Sequence, residues 1–172
     1  DLRIDGMGIA VADYDNDGDL DIAVSDTRRP YLLENDGTGN FVEVAQSRGI
    51  TNIPNVGWGL VWIDVDNNGD LDLFNPTNMV DQMFYNLGNG TFVEMTPSAG
   101  LDDARVTYGV ATGDYDRDGR VDLLIGDVGW AHRLHRNMYV TSHNWLGLRL
   151  EGQGAGGTDA IGARVYVTDT SG

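Results

Sequence analysis

The chain has 172 residues, and its 27 acidic residues outnumber 11 arginines to give a formal net charge of −16, which disfavours nucleic acid as a partner. The acids are 23 Asp and only four Glu, there is no Lys, and glycine occurs 24 times, a composition typical of strands and tight turns rather than of helices. The absence of cysteine excludes disulfides and thiol catalysis, and without a run of about 18 apolar residues no membrane insertion is expected.

The first predicted elements belong to an internal repeat. The stretch Gly6 to Asp26 (GMGIAVADYDNDGDLDIAVSD) returns at Gly57 to Thr77 and at Thr107 to Asp127, with offsets of 51 and 50 residues. The register continues into a later segment, because Asn35 to Phe41 (NDGTGNF) matches Asn86 to Phe92 (NLGNGTF). The chain therefore contains two complete repeats and most of a third.

Each unit is predicted to form four short strands. In the first unit these are Met7 to Ala12, Leu20 to Ser25, Tyr31 to Glu34 and Phe41 to Ala45. The first two are continuously apolar, so we expect them to be covered on both faces. Four antiparallel strands every 50 residues or so, with no helix between copies, predict an all-β chain of three β-propeller blades.

The blade boundaries follow from the repeat. Blade 1 is assigned to residues 1–50, blade 2 to residues 51–101 and blade 3 to residues 102–143. The third unit departs from the pattern after Asn137, so its end is expected to be atypical.

A different β module is predicted for residues 144–172. It would begin with a strand from Leu146 to Glu151, continue through a flexible glycine-rich turn from Gly152 to Gly157, and form a second strand from Ile161 to Thr168.

An acidic loop joins the first two strands of each unit, with side-chain oxygens at positions 1, 3, 5 and 9 and glycine at position 6. Ca²⁺ takes six to eight oxygen ligands, whereas Mg²⁺ prefers octahedral sites that keep several waters, so we predict three Ca²⁺ sites. Position 7 would contribute its backbone carbonyl, which allows different residues there. The predicted ligands are Asp13, Asp15, Asp17, Asp19 and Asp21; Asp64, Asp66, Asn68, Asp70 and Asp72; and Asp114, Asp116, Asp118, Arg120 and Asp122.

The acidic loops have two alternative interpretations. An EF-hand would require Glu at position 12, which here is Val24, Asn75 or Ile125, so the carboxylate at position 9 must take that bidentate role. Asp, Asn and Gly also favour turns without any metal. Three copies in register with an unvarying Asp at position 9 favour the metal.

The loop D-x-D-x-D-G-x-x-D between apolar strands, followed by N-x-G-x-G-x-F, resembles the FG-GAP or VCBS repeat of integrin α-chain-like β-propellers. The C-terminal segments NWLGLRL (from Asn144) and DAIGARV (from Asp159) resemble the start of the ASPIC/UnbV module that follows such repeats in bacterial proteins. The resemblance implies a secreted, periplasmic or surface-exposed adhesion or ligand-binding propeller with structural calcium. Such rings usually close with about seven blades, so three would belong to a fragment or be completed by association between copies.

The remaining residues carry no recognisable catalytic motif: G-x-S-x-G, the phosphate-binding G-x-x-x-x-G-K-[ST] and H-E-x-x-H are all absent. The three histidines are expected on the surface or in turns. Trp58 and Trp62 are predicted to lie on one face of a strand and to pack between blades, with a carbohydrate platform as the alternative. Four further residues are candidates for the rim of a ligand site: Trp130, His132, Arg133 and Arg136.

We therefore predict a non-catalytic, calcium-binding propeller segment that recognises an extracellular protein or glycan. One alternative is a propeller enzyme acting on polysaccharide, with its catalytic site outside this chain. The other is a structural array that only spaces its neighbours.

Overall fold

The computed structural model describes residues 3–51, 55–152 and 165–168, and within these ranges it contains eleven strands and no helix. The strands form three antiparallel sheets, one for each repeat, in agreement with the predicted all-β fold of blades. No helix in the described part of the chain is long and apolar enough to cross a membrane.

The first two sheets each contain four strands in sequential order. The first sheet is β1 (Gly6–Ala12), β2 (Asp21–Asp26), β3 (Tyr31–Asn35) and β4 (Phe41–Glu43), and the second is β5 (Val61–Ile63), β6 (Asp72–Asn75), β7 (Gln82–Asn86) and β8 (Phe92–Glu94). The third sheet consists of β9 (Thr107–Gly113), β10 (Asp122–Asp127) and β11 (Arg133–His135).

The predicted strands of the first unit agree with β1 to β4 to within two residues at each end. The hairpin between β3 and β4 closes through Gly37 and Gly39, whose φ angles of 77° and 89° are open to glycine at little cost. In the second blade the equivalent glycines also have positive φ. The motif N-x-G-x-G-x-F therefore marks this turn, as the sequence predicts.

The blades stack around their first strands. β1 contacts β5, and β5 contacts β9. Glycines make the close approach possible: a Cβ on Gly8 would lie only 2.7 Å from the Cα of Gly59. The innermost strands therefore stand side by side, as expected for neighbouring propeller blades.

Two apolar clusters fill the spaces between the sheets. The first lies between blades 1 and 2, and its buried members are Tyr14, Ala23, Leu32, Ala45, Ile50, Leu73, Phe84 and Phe92. The second lies between blades 2 and 3, and its buried members are Ile63, Phe74, Met83, Leu101, Leu123 and Ile125. Each core is thus shared by two blades, so no blade buries its apolar side chains alone.

The two terminal blades each leave one sheet face uncovered. On blade 1 this first open face carries Ile9, 70% exposed, and Val11, 53% exposed. On blade 3 the second open face carries Leu124, 48% exposed, and Leu134, 52% exposed. The expectation that β1 is covered on both faces is therefore wrong, because no sheet lies against its outer side among the described residues.

In the part of the chain that the structure describes, the third sheet stops after β11 and lacks a fourth strand. The predicted strand from Leu146 to Glu151 is wrong: residues 146–150 have irregular backbone. Most of the glycine-rich turn and residues 161–164 of the second predicted strand lie outside the described residues, and residues 165–168 are irregular and exposed. The predicted C-terminal module stays a prediction.

Candidate metal centre

The three acidic loops share one backbone conformation. The residue at position 4 is left-handed in each loop, with φ of 60° at Asn16, 57° at Asn67 and 62° at Arg117. The glycine at position 6 follows with φ between 85° and 97°. Asp13 at position 1 accepts the N–H groups of Asp17 and Gly18 at 3.1 and 3.0 Å, and its counterparts in the other loops do the same. The spacing of the motif thus folds the loop around its first aspartate.

The aspartate at position 9 fixes each loop to its own sheet. Asp21, Asp72 and Asp122 are at most 2% exposed. Asp72 accepts the N–H of Val65 at 3.0 Å and that of Asn86 at 2.7 Å. Its counterparts accept the same pair of backbone donors from the equivalent positions. Position 9 therefore links position 2 of the loop to the end of the third strand.

Two of the three loops gather carboxylates closely enough to hold a metal ion. One oxygen each of Asp13, Asp15 and Asp21 lie within 4.8 Å of one another, and the same is true of the trio Asp114, Asp116 and Asp122. Positions 1, 3 and 9 thus converge. In the second loop no such trio occurs among the described residues, and the hydroxyl of Tyr85 donates to Asp66 at 2.6 Å.

The side chains at positions 5 and 7 lie outside these trios. Asp17, Asn68 and Asp118 at position 5 each accept the N–H of position 7 in their own loop, at 2.7 to 3.0 Å. At position 7, Asp70 accepts a hydrogen bond from Asn16 of the preceding loop at 3.0 Å, and the Arg120 guanidinium contacts Asp118. The predicted ligand roles of positions 5 and 7 stay predictions.

The electrostatics of the first loop favour a cation. Burial, followed by repulsion from Asp17, raises the pKa of Asp15. Burial also raises the pKa of Asp21 against the lowering effect of its two backbone donors. Asp15 Oδ1 is buried and has no hydrogen-bond partner among the described residues. An unpaired carboxylate oxygen beside other acids is a costly arrangement that a divalent cation would relieve, so the residues of this loop fit Ca²⁺.

In the second loop, burial raises the pKa of Asp72 to about 7. The loop still offers Asp64, Asp66 and the amide oxygen of Asn68, all of which are oxygen donors suited to Ca²⁺.

The third loop contains its own positive charges. Arg136 Nε lies 2.7 Å from Asp116 Oδ2, and its Nη2 lies 3.0 Å from Asp118 Oδ2. The Arg120 guanidinium also contacts Asp118 and donates to the carbonyl of Asn137 at 2.8 Å. Two of the predicted ligands are therefore already paired with guanidinium groups.

One asparagine at a fixed repeat position has a role that its sequence pattern alone does not reveal. Asn86 at the end of β7 donates to the carbonyl of Leu71 in its own loop at 3.2 Å and to that of Tyr14 in the preceding loop at 2.9 Å. Asn137 makes the equivalent pair with Val121 and Val65. This asparagine begins the N-x-G-x-G-x-F motif in the first two units and recurs at the same offset in the third, so its unvarying position was the available signal.

Some of the other predicted residues behave differently from expectation. Trp62 packs between blades as predicted, with its ring 5.9 Å from that of Tyr14 in blade 1. Trp58 also packs between blades, but against Tyr108 of blade 3, so the two tryptophans contact different blades instead of sharing one neighbour. Arg133 is not a rim residue, because its side chain is 11% exposed and is paired with Asp127 at 2.7 Å.

His135 is also not at the surface. It is partly buried and lines a cleft of about 450 Å³ between blades 2 and 3, and burial lowers its pKa.

Comparison with known proteins identifies the repeat. The family described as FG-GAP-like repeat matches residues 13–75 and 76–125. Cartilage acidic protein 1 of Xenopus tropicalis is 30% identical over 154 residues, which covers 79% of this chain and 23% of that protein. The proteins of the same name from Mus musculus and Homo sapiens are 47% and 46% identical over 57 residues, which covers 33% of this chain and 9% of each relative. The chain thus spans less than a quarter of the relatives it matches.

Proposed function

The chain belongs to the FG-GAP-like repeat family, and from this premise we propose that it is a calcium-stabilised propeller segment that presents a recognition surface outside the cell and has no catalytic activity. The observation that carries the calcium part is the convergence of Asp13, Asp15 and Asp21 within 4.8 Å, together with the unpaired, buried Asp15 Oδ1. Oxygen donors alone, without nitrogen or sulfur, match the preference of Ca²⁺.

Calcium would act on stability by joining the turn of the loop to the strand that leaves it. Asp13 folds the turn through its two N–H acceptor bonds, whereas Asp21 is the first residue of β2. An ion bound between them would neutralise repelling carboxylates and hold both elements in place. Because the unfolded chain has no such arrangement, the ion would bind mainly to the folded state and raise its stability.

The location outside the cell follows from the expected affinity. Loops of this kind in extracellular modules bind Ca²⁺ with dissociation constants on the order of 10⁻⁴ to 10⁻³ M. They would be loaded in millimolar extracellular calcium and largely empty in the cytosol. The similarity to cartilage acidic protein 1 supports the same location. A protein or glycan is the proposed ligand class, because exposed loops on a rigid blade scaffold suit binding.

Association between copies is a further part of the proposal. The two open faces carry apolar side chains at positions that are buried or partly buried in the interior of the stack. A second copy placed head to tail would cover one open face with the other.

Thermal unfolding tests the calcium proposal. In 5 mM Ca²⁺ (about ten times a Kd near 0.5 mM), each loaded site should add about 1.4 kcal/mol relative to excess chelator, and the midpoint should rise by several degrees. Asp15→Asn should remove part of this difference, whereas Asp36→Asn, a change in an exposed turn, should leave it intact. Coincident melting curves with and without Ca²⁺ would refute the proposal.

A further inference from the structure

The residue before the repeat asparagine (Asn35, Asn86 or Asn137) differs in charge from one blade to the next. It is Glu34 in blade 1, Tyr85 in blade 2 and Arg136 in blade 3, at successive offsets of 51 residues. In blades 2 and 3 its side chain contacts position 3 of its own loop, through Tyr85 with Asp66 at 2.6 Å and Arg136 with Asp116 at 2.7 Å. In blade 1, Glu34 instead accepts from Tyr14 and Arg48 and repels Asp15.

The charge of the loops themselves varies in the same order. The first loop has five aspartates and no basic residue, the second has four aspartates and none, and the third has four aspartates and two arginines. When the charge of the residue before the asparagine is included, the first loop becomes more negative, the second is unchanged and the third is nearly neutral. The demand for an external cation therefore decreases along the chain.

We propose that this position decides whether a loop takes Ca²⁺, and that Arg136, assisted by Arg120, replaces the ion in the third loop. The inference builds on the calcium-binding function proposed above. Loops 1 and 2 would bind one ion each, whereas loop 3 would be held by its own guanidinium groups at any calcium concentration.

Proximity supports this replacement. Asp116 and Asp118 are two of the oxygen ligands predicted from the sequence, and Arg136 forms a bridge between them with N–O distances of 2.7 and 3.0 Å. Guanidinium groups form strong, charge-assisted hydrogen bonds with carboxylates. A Ca²⁺ ion entering the trio of Asp114, Asp116 and Asp122 would lie next to this fixed positive charge, and the repulsion would weaken its binding. One carboxylate of the trio in loop 3, that of Asp116, is thus already paired with a guanidinium group without an ion.

The direct test counts bound ions. Equilibrium dialysis of the full chain at 10 mM Ca²⁺ should give two ions for the wild type and three for Arg120→Gln/Arg136→Gln, which keeps the backbone carbonyl at position 120. Tyr85→Arg, which places a guanidinium beside Asp66, should reduce the number to one. Arg29→Gln is the matched control, because Arg29 pairs with Glu43 at 3.1 Å, away from the loops, and the number should stay at two.

Amide hydrogen exchange supplies a second readout that does not depend on counting. Adding chelator to the wild type should speed exchange in residues 13–21 and 64–72 and leave residues 114–122 unchanged. In the double arginine variant, residues 114–122 should become calcium-dependent as well.

The outcomes separate the two proposals. Three ions in the wild type, or two in the double arginine variant, would overturn the inference and leave the calcium function standing. No bound calcium in any variant would overturn both.

Discussion

Asn86 shows how one side chain joins two blades. Its amide group donates to Leu71 O in its own loop and to Tyr14 O in the preceding loop, and it is 1% exposed. Among the described residues, no blade lies before the equivalent Asn35, and its side chain donates only to Leu20 O at 3.3 Å in an exposed setting. The same residue at the same position thus makes a contact between blades in one case and a local bond in the other.

Replacing Asn86 with Ala should therefore lower the free energy of unfolding by about 2 to 3 kcal/mol, because buried carbonyl groups lose their donors. Asn35→Ala should cost about 1 kcal/mol or less, since water can replace its single donor contact. Urea unfolding of the two variants measures the difference. Equal losses would contradict a special role for the bond between blades.

Asp81 makes the stability of the fold depend on pH. It is fully buried, accepts the Thr77 N–H at 2.9 Å and lies 3.3 Å from Arg133 Nη2. Burial is the main cause that raises its pKa from 3.8 to about 6. Between these values the folded state binds more protons than the unfolded state, so this contribution to stability is complete below about pH 4 and is lost as the pH rises to about 6.

The predicted size of this loss is at most about 3 kcal/mol, from about 1.4 kcal/mol per unit of pKa shift. Asp81→Asn has no proton to lose and acquires no charge as the pH rises, so in excess chelator its free energy of unfolding should fall less steeply than that of the wild type between pH 4 and 6. Urea unfolding at several pH values gives both slopes. Parallel curves for the two proteins would contradict the prediction.

At the level of single residues, the sequence predicts which positions of the loop meet but not which partners they find. The fixed spacing of the motif is enough to predict that the carboxylates of Asp13, Asp15 and Asp21 come together, because all three belong to one short loop. The contacts of Arg136 with Asp116 and Asp118 could not be predicted, since they join segments about 20 residues apart whose relative placement depends on strand pairing. The sequence also misplaces Arg133 at the rim. Its partner Asp127 ends β10 and Arg133 begins β11, so their contact likewise depends on how these two strands pair.

At the level of elements, the innermost strands depend on glycines at one repeat position. A Cβ on Gly8 would meet Gly59 Cα at 2.7 Å and Ser25 Oγ at 3.1 Å, whereas a Cβ on Gly59 would meet nothing closer than Pro76 Cγ at 3.3 Å. A Cβ added to Gly109 would meet no atom within 4 Å, because no further blade lies beside it in the described part of the chain. The tolerance for a side chain therefore increases along the chain.

Gly8→Ala should consequently force β1 and β5 apart and cost about 1 to 3 kcal/mol. Gly109→Ala should be neutral or stabilise by up to about 1 kcal/mol, because it restricts the unfolded chain without a clash. Thermal unfolding of both variants in the same calcium buffer tests the pair. A loss of stability in Gly109→Ala as large as that in Gly8→Ala would show that the close approach of the strands is not the cause.

The sequence predicts the strands correctly where the repeat also provides a neighbouring strand for each of them to pair with. Apolar runs and turn glycines located β1 to β4 to within two residues. The same pattern failed at Leu146, Leu148 and Leu150, which alternate as in a strand yet are all about half exposed in irregular backbone. Alternation indicates that a segment is able to form a strand, but a strand also needs a neighbour to bond to, and a single sequence does not reveal whether one is present.

At the level of the whole molecule, the repeat makes the two open faces complementary. Leu124 and Leu134 on the second open face occupy the positions of Phe74 and Met83, which are buried against blade 3. Ile9 and Val11 on the first open face occupy the positions of Leu60 and Trp62, which pack against blade 1. Inside the stack, the face equivalent to the second open face packs against the face equivalent to the first. The two open faces therefore have complementary residue patterns, which favours a heterologous, head-to-tail contact between copies.

This geometry predicts a specific pattern of association. The wild-type chain should self-associate increasingly with concentration in sedimentation velocity. Leu124→Glu/Leu134→Glu and Ile9→Glu/Val11→Glu should each be monomeric, because each retains only one competent face and charged side chains block the other. Both should keep nearly wild-type melting points, since all four side chains are exposed.

An equimolar mixture of the two variants should form dimers that grow no further, because the intact first face of one fits the intact second face of the other. Dimers in either variant alone would instead indicate a symmetric contact, and monomers in the mixture would show that these faces do not bind each other.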